Sequence, residues 1–388
     1  MVEPTRGIDD VLFNTDILEG ILGHLYHPDA VRLLAVCKTL RSKFRSNNIE
    51  HRPRLLVIAS EANHLCEIDL LSGELGRTWA IRSRARGWKR LKGSSLQYWP
   101  TCVATSPDGY IHICQYKGHQ VLKFSPSDLS YVSISAQMNS EEKSPEGIAF
   151  SKGCMYIASA AAGHIRRFAP NPAGQGYVPM PDYLVAFYDS GRTFGRIGRG
   201  LQVPWGMVTG PDGNLYIAMD DEYENGDDAL ASTSGHVMVG LIGADGQLVS
   251  LRPFCGLNEL LARPSGVCFD DQGNLYVTCM TSRILQYSGP LSSKPGQLMR
   301  VAAQWTEPGE ARGEGGNKPW DVRWHRGIAG ICAKHEPLLI VTRHAGIWQR
   351  CGSNIAIFSA VSGRLLKQLK FGQEHCRYLR QLNMMLID

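Results

Sequence analysis

A repeated run of residues in the middle of the chain is the feature that most limits how this sequence can fold. Each copy begins with Pro, one variable residue and usually Gly, runs through an apolar stretch to a Gly turn, and ends in an apolar segment. The copies and their turn glycines start at Pro100 with Gly109, Pro145 with Gly153, Pro204 with Gly213, and Pro264 with Gly273. Because the spacing from Pro to turn Gly is eight or nine residues in all four copies, the run indicates a stacked repeat architecture.

Each copy predicts a small antiparallel sheet. The Gly turn, which needs positive φ, joins two short apolar strands into a hairpin. A third strand is predicted at residues 121–124, 165–168, 237–241 and 284–287, and a fourth follows in each copy. One four-stranded sheet cannot bury both of its faces, so neighbouring sheets must stack, and repeats of this length stack radially. The sequence therefore predicts a mainly β fold, a β-propeller.

The two ends of the repeat region set the predicted number of blades. Pro319 begins a further copy, whereas residues 55–59, 65–70 and 75–80 read as three strands that lack an inner one. The C-terminal segment 381–388 stands where that missing strand should be, and we expect it to pair with residues 55–59. Six blades result, so residues 51–388 are predicted to form a six-bladed propeller closed by the C-terminal strand.

The repeats resemble those of a known group of propellers. The Pro-x-Gly runs and the Asp-Gly-Asn-Leu-Tyr run at 212–216 are similar to the repeats of NHL, gluconolactonase and streptogramin-lyase propellers. The resemblance covers about residues 53–388. It implies a ring of inner strands around a central channel, with ligands bound at the mouth of that channel.

Residues 1–50 lack the repeat, and their apolar residues are spaced as in helices. They predict a small helical head. Two apolar helix faces are separated by His27-Pro28-Asp29, which breaks the first helix and starts the second. The order of apolar residues resembles an F-box, which implies a partner: the Skp-type adaptor of a cullin-type ubiquitin ligase. The residues expected to bind that adaptor are Ile17, Leu18, Ile21, Leu22, Leu25, Val31, Leu34, Val36 and Leu40. The alternative is a helical pair that packs against the propeller or against a neighbouring subunit.

The sequence contains no local catalytic motif that would indicate an enzyme. Gluconolactonases, by resemblance, hold a divalent cation with Glu, Asn and Asp at the starts of inner strands. Here the equivalent positions offer only Glu146 and Asn383 as oxygen ligands, with Asp321 displaced by one residue, and this set is thin for calcium. We expect no metal, no cofactor and no catalytic residue; a metal-dependent lactonase or a lyase is the alternative.

One face of the predicted propeller carries most of the charged loops. Basic loops join successive blades, and an acidic stretch from Asp220 to Asp228 lies on the same face. Two tryptophans follow the inner-strand prolines and are expected at the channel mouth, either as core filling or as recognition anchors. The predicted client-binding face comprises Arg84, Arg86, Trp88, Arg90, Glu146, Arg196, Trp205, Arg263, Trp320 and Arg343. A largely basic surface suits an acidic protein tail or RNA, and solvated loops without a partner are the alternative.

Composition places the expected protein inside the cell. The 11 cysteines contain no CxxC pair, and several lie in apolar strand-like runs, which is typical of free thiols in a reducing compartment. The first ten residues lack a signal-peptide pattern, and no apolar run approaches the length of a membrane span. We therefore expect a cytoplasmic protein, with the nucleus as an alternative, that does not bind membranes.

Taken together, these features predict a binding adaptor. The head would bind the ligase core, and the propeller face would recruit a protein client. The alternatives are a non-catalytic scaffold subunit of a larger assembly and an RNA-binding propeller. The net charge of +5 does not by itself indicate nucleic-acid binding.

Overall fold

The protein is described by a computed structural model. The described residues are 54–59, 64–72, 75–80, 100–116, 118–126, 129–138, 145–159, 163–173, 176–185, 202–221, 235–256, 261, 263–279, 282–304, 318–325, 331, 336–344, 354–370 and 382–387. The predicted helical head, with all nine of its proposed adaptor-binding residues, lies outside this part of the chain.

Five antiparallel sheets are each built from four consecutive strands, as alternating apolar segments separated by Gly turns dictate. The second and third sheets contain β4 (Pro100–Thr105), β5 (Ile111–Gln115), β6 (Gln120–Phe124), β7 (Tyr131–Gln137), β8 (Pro145–Ser151), β9 (Cys154–Ser159), β10 (His164–Pro170) and β11 (Tyr177–Val185). The fourth and fifth contain β12 (Gln202–Thr209), β13 (Leu215–Asp221), β14 (Gly235–Ile242), β15 (Leu248–Cys255), β16 (Pro264–Phe269), β17 (Leu275–Cys279), β18 (Arg283–Tyr287) and β19 (Leu298–Gln304). The sixth contains β20 (Lys318–His325), β21 (Leu338–His344), β22 (Asn354–Ser359) and β23 (Leu365–Lys370).

The first sheet is composite, because its strands come from both ends of the described chain. It contains β1 (Arg54–Ala59), β2 (His64–Asp69), β3 (Leu75–Ala80) and β24 (Leu382–Ile387), in the order β24-β1-β2-β3. The predicted pairing of the C-terminal segment with residues 55–59 is therefore confirmed. Five complete blades arise from consecutive strands alone, and the predicted count of six depends on this composite sheet.

The sheets stack side by side through apolar clusters that each join two neighbours. One cluster joins Tyr156 of the third sheet to Ile217 of the fourth, and another joins Leu56 of the first sheet to Ile113 of the second. The composite sheet also meets the sixth sheet, where Leu55 and Ile340 share a cluster. Burial of these side chains, at about 1.5–3 kcal/mol each, is the main stabilising contribution. The fold is a mainly β propeller, as the repeat predicted.

The innermost strands form the wall around the propeller axis. Successive contacts run from β4 to β8, β12, β16, β20 and β24, and from β24 back to β4. The starts of these strands lie at one end of the wall, since all of them run in the same direction along it. Among the described residues there is no helix at all, and hence none suited to spanning a membrane.

The predicted hairpin turns are confirmed by their backbone geometry. Gly109, Gly213 and Gly273 have φ of 83°, 80° and 80°, values that favour glycine because it has no Cβ. The amide of Gly213 donates to the carbonyl of Gly210 at 2.9 Å, which closes the turn between β12 and β13. These turns lie at the end of the propeller opposite the starts of the inner strands.

Candidate functional site at the axial mouth

A β-bulge lies at the start of the inner strand in each of the five consecutive sheets. In β8, Pro145 pairs with Ser159 but the next paired residue is Gly147, so Glu146 is the inserted residue. In β12 the register shifts between Pro204 and Met207, and the inner strands β4, β16 and β20 shift at the equivalent place. A bulge leaves the inserted residue out of the ladder and redirects its side chain. The variable residue after each inner-strand Pro therefore lies at a bulge, and these residues are Thr101, Glu146, Trp205, Ser265 and Trp320.

These bulged positions surround one end of the axis, which we call the axial mouth. In the third and fourth sheets a Gly follows the bulged residue, and the next inner strand approaches it closely. A Cβ on Gly147 would lie 2.5 Å from the carbonyl oxygen of Trp205, and one on Gly206 would lie 2.5 Å from that of Ser265. The Gly of the Pro-x-Gly repeat is thus required by the contact between neighbouring sheets. It also fixes the spacing of the bulged residues around the mouth.

Glu146 is a recessed acid in the wall of the axial mouth. The residue is partly exposed as a whole, while its carboxyl is enclosed by surrounding protein. Burial raises its pKa from 4.5 to about 8, because surrounding protein disfavours the charged carboxylate. The charge of Glu146 also raises the pKa of the Cys114 thiol further, after burial itself, which places the carboxyl near the end of β5. At neutral pH Glu146 is therefore mainly a neutral hydrogen-bonding group that can become an anion.

The two hydroxyl residues of the mouth are already engaged by the protein. Thr101 donates its hydroxyl to the carbonyl of Pro145 in the next sheet, and it is buried. Ser265 lies 3.1 Å from the Thr278 hydroxyl, which also accepts the amide hydrogen of Gly266 at 2.7 Å. Thr278 thus satisfies backbone groups that the bulge removes from the ladder. These residues shape the mouth and leave Glu146 and Trp205 as its partly exposed residues with described positions.

Trp205 lies beside Glu146 around the mouth. It is half-buried, and it occupies the bulge of β12, which packs directly against β8. The sequence predicted both residues at the mouth, and the structure places them on adjacent inner strands. A large, partly exposed aromatic residue next to a recessed acid is a typical composition for a recognition site.

Arg263, another predicted client-binding residue, is occupied by an ion pair. Its Nε lies 3.1 Å from Oδ2 of Asp220, whose side chain is only 8% exposed. The prediction that Asp220 belongs to an acidic loop is wrong: it is a buried residue within strand β13, one position before the strand ends. Because a buried carboxylate needs a partner, the pair holds the start of the fifth sheet against the fourth. The sequence signal that was missed is that Asp220 continues the apolar strand without any turn residue.

The other predicted client-binding residues cannot be placed at the site. Arg84, Arg86, Trp88, Arg90 and Arg196 lie outside the described residues. The backbones of Trp320 and Arg343 lie in β20 and β21, and their side chains are outside the described part. Of the predicted basic residues, Arg263 is the one with a described side chain, and it is paired with Asp220.

The described residues offer no ready metal site. No group of three or more His, Cys, Asp or Glu side chains in that part of the chain is arranged to hold a metal ion. At the mouth, Glu146 has hydroxyl, thiol and indole neighbours, and a hard cation such as calcium needs six or more oxygen ligands. The set formed by Thr101, Glu146, Trp205 and Ser265 does not fit that requirement.

Comparison with solved structures supports the fold. A chain of the nidogen–laminin complex has a TM-score of 0.53 and 14% sequence identity, with 86% of this chain and 98% of that chain covered. A protein from Lactobacillus plantarum has a TM-score of 0.52 and 12% identity, with 82% of each chain covered. These identities establish a shared propeller architecture and no more.

The structural neighbours also include an enzyme. Virginiamycin B lyase from Staphylococcus aureus matches with a TM-score of 0.44 and 13% identity over 80% of this chain and 78% of that chain. Such a distant match carries no argument about activity. No family model and no curated protein sequence matches this chain.

Proposed function

We propose that this protein is a non-catalytic binding adaptor whose propeller recruits a protein client at the axial mouth. The observation that carries the proposal is the placement of Glu146 and Trp205 at bulged positions of adjacent inner strands. Both residues are partly exposed, and both side chains are redirected out of the ladder. Tryptophan is enriched among the residues that contribute most to protein recognition, so Trp205 would be the anchor of the client.

The proposal includes a six-bladed ring in which the composite sheet is the sixth blade. It is supported by the pairing of β24 with β1, and by the apolar cluster that joins this sheet to its neighbour. A closed ring has no free inner edge, so the mouth is bounded on all sides and its diameter is fixed. A fixed mouth favours insertion of a single extended side chain over adaptation to a broad surface.

The N-terminal head would connect the client to a ubiquitin-ligase complex. Its F-box-like sequence supports binding to a Skp-type adaptor of a cullin-type ubiquitin ligase. In that role the protein makes no bonds; it holds the client near the transfer machinery and so raises its effective concentration. All seven described cysteines are free and buried, which supports the proposed cytoplasmic location, where thiols stay reduced.

The adaptor role is tested by isolating the protein and its partners from cells. We expect a Skp-type protein to copurify with the full chain and to be lost with Leu18→Glu or Leu34→Glu. The matched control is Leu291→Glu, the same change at a propeller side chain that is 73% exposed. Trp205→Ala should lose the client and retain the Skp-type protein.

Other outcomes of the same experiment would point to other functions. Recovery of a constant set of structural subunits, with no Skp-type protein, would replace the adaptor by a scaffold. Recovery of RNA, with an affinity that falls steeply as salt rises, would indicate an RNA-binding propeller. Turnover of a lactone that depends on an added divalent ion would overturn the non-catalytic assignment.

A further inference from the structure

The chemistry around Glu146 limits what the axial mouth can bind. The strands packed against β8 are β4, β5, β9 and β12, and none of them contains Lys or Arg. At the mouth end of these strands the titratable groups are the thiols of Cys102 and Cys114. Burial raises the pKa of the Cys114 thiol well above 9, so this thiol stays neutral. Among the described strands packed against β8, none supplies a cation to Glu146.

The one predicted basic residue of the client-binding face with a described side chain is committed elsewhere. Arg263 precedes β16 and forms its ion pair with Asp220 at the boundary of the fourth and fifth sheets. Thr101 gives its hydroxyl hydrogen to the carbonyl of Pro145. A negative charge on Glu146 would therefore be balanced best by a ligand, and the ligand that balances it is cationic.

Trp205 also favours a cationic ligand. The indole face has a negative quadrupole, and it attracts an ammonium group positioned over the ring. The residue as a whole is partly exposed at the mouth, although its indole nitrogen is buried. An anionic ligand would be repelled both by the carboxylate of Glu146 and by the negative face of the Trp205 ring.

We propose that the axial mouth binds the ammonium group of a lysine side chain of the client, between the ring of Trp205 and the carboxyl of Glu146. This inference rests on the proposed function, and it specifies the chemistry of the ligand. Lysine fits better than arginine because its ammonium is a compact charge, whereas the planar guanidinium of arginine needs a wider opening between the inner strands. The acidic client that the sequence suggested is therefore replaced by a basic one at this position.

Binding of a cation should be coupled to loss of a proton from Glu146. The raised pKa of about 8 means that the free protein carries a neutral Glu146 below that pH. An ammonium ligand stabilises the carboxylate, so its affinity should rise with pH and level off above pH 8. The lysine amine itself, with a pKa of about 10.4, stays charged throughout this range.

Fluorine NMR of the full chain labelled with 5-fluorotryptophan tests the inference directly. The Trp205 resonance is assigned by its absence from Trp205→Phe, and the probe is Nα-acetyl-lysine methylamide. We expect a saturable shift of that resonance, with an affinity about tenfold higher at pH 7.5 than at pH 6.5. The neutral probe Nα-acetyl-norleucine methylamide, which has the same stem length without the charge, should produce no saturable shift.

Two variants separate the charge from the fold. Glu146→Gln should weaken binding of the lysine probe by about tenfold or more at pH 8.5 and remove its pH dependence. Asp271→Asn, at an exposed turn on the opposite end of the propeller, should leave both unchanged. Equal shifts with the lysine and norleucine probes, or unchanged binding to Glu146→Gln, would overturn the inference.

The outcome is distinguishable from failure of the proposed function. If client recruitment survives Glu146→Gln but is lost with Trp205→Ala, the mouth recruits a client through chemistry other than a lysine ammonium. If the lysine probe binds as expected but no client is recovered from cells, the site exists and the adaptor role is wrong. Each result therefore bears on one of the two proposals.

Discussion

At the scale of single residues, His112 shows how burial in the second sheet controls protonation. Its ring is fully buried, with Nδ1 at 3.0 Å from Ser135 Oγ and Nε2 at 3.1 Å from Ser106 Oγ. The ring also lies 4.9 Å from that of Phe150 in an edge contact. Burial, followed by the nearby charge of Lys123, lowers the pKa of His112 from 6.5 to about 4. Between these two pKa values, the imidazole is neutral in the folded protein and protonated in the unfolded chain.

The buried imidazole predicts a loss of stability in mild acid. Between pH 6.5 and 4 the unfolded state binds a proton at His112 that the folded state excludes, so unfolding becomes more favourable as the pH falls. At about 1.4 kcal/mol per pKa unit, the loss approaches about 3 kcal/mol below pH 4. The melting temperature of the wild type should fall as the pH is lowered from 6.5 to 4, and that of His112→Gln should fall less.

A substitution of a non-titrating side chain in the same sheet provides the control for this prediction. Val132→Thr changes an exposed side chain of β7 and leaves the imidazole of His112 in place. Its melts should keep the wild-type pH dependence between pH 6.5 and 4. If His112→Gln and the wild type lose stability equally across the window, protonation of His112 is not the cause.

Prediction of individual residues from the sequence succeeded where the repeat fixed their position. Glu146 and Trp205 were placed at the mouth because both follow an inner-strand Pro. Asp220 was misplaced because its ion pair with Arg263 joins two sheets across 43 positions of the chain, and no local pattern encodes such a pair. The repeat thus predicts where a side chain lies, but its partner depends on stacking of separate repeats.

At the scale of elements, outer-strand bulges and turn glycines form a repeated contact between neighbouring sheets. The register of β18 with β19 shifts between Ile284 and Leu285, which leaves Ala302 as the inserted residue. Gly363, in the turn between β22 and β23, would place a Cβ 2.4 Å from the carbonyl oxygen of Ala302. Gly176 approaches Ser135 and Gly296 approaches Phe254 in the same way. The turn of one sheet therefore packs onto the bulge of the sheet before it.

This contact predicts an unequal response of two glycines to the same substitution. Gly363 and Gly153 both have positive φ, 71° and 75°, so Ala introduces backbone strain of about 1 kcal/mol at each. A Cβ on Gly153 would meet nothing within 4 Å, whereas one on Gly363 would collide with backbone. Gly363→Ala should therefore lower the free energy of unfolding by about 1–3 kcal/mol more than Gly153→Ala.

Denaturant unfolding of the two variants measures the difference. Because both glycines lie in hairpin turns, effects on the unfolded chain cancel to a first approximation. Similar losses in the two variants would show that the turn of the sixth sheet does not depend on its contact with Ala302.

The strands themselves were predictable, and the bulges were not. The third strands and the Gly turns follow from local alternation and from residues that tolerate positive φ. Two turns make equivalent contacts: Asp69 accepts the amides of Leu71 and Ser72, and Ser359 accepts those of Val361 and Ser362. A bulge is a mismatch between two strands, so it appears only when the register of both is known.

At the scale of the whole molecule, the composite sheet joins the two ends of the described propeller. Strand β24 pairs with β1 and contacts the neighbouring inner strands β20 and β4. Without it, β1 would present a free edge to the axis, and an unpaired edge is a site for aggregation. The sequence could predict this pairing because only one segment, 381–388, remained to supply the missing strand.

Removal of residues 381–388 should therefore destabilise the whole propeller as well as its last strand. Several ladder hydrogen bonds, each worth about 1 kcal/mol net, would be lost together with the contacts of β24 to both neighbouring sheets. Calorimetry should show a transition at a lower temperature and with less cooperativity, and light scattering should show association through the exposed edge of β1.

A Gly-Ser extension after Asp388 is the control and should leave the melt unchanged, because it adds chain without removing the strand. Addition of a synthetic 381–388 peptide to the truncated protein should restore part of the lost stability. A truncated chain with an unchanged melt would mean that the ring does not depend on this strand for closure, and the boundary of the axial mouth would then have to be drawn without it.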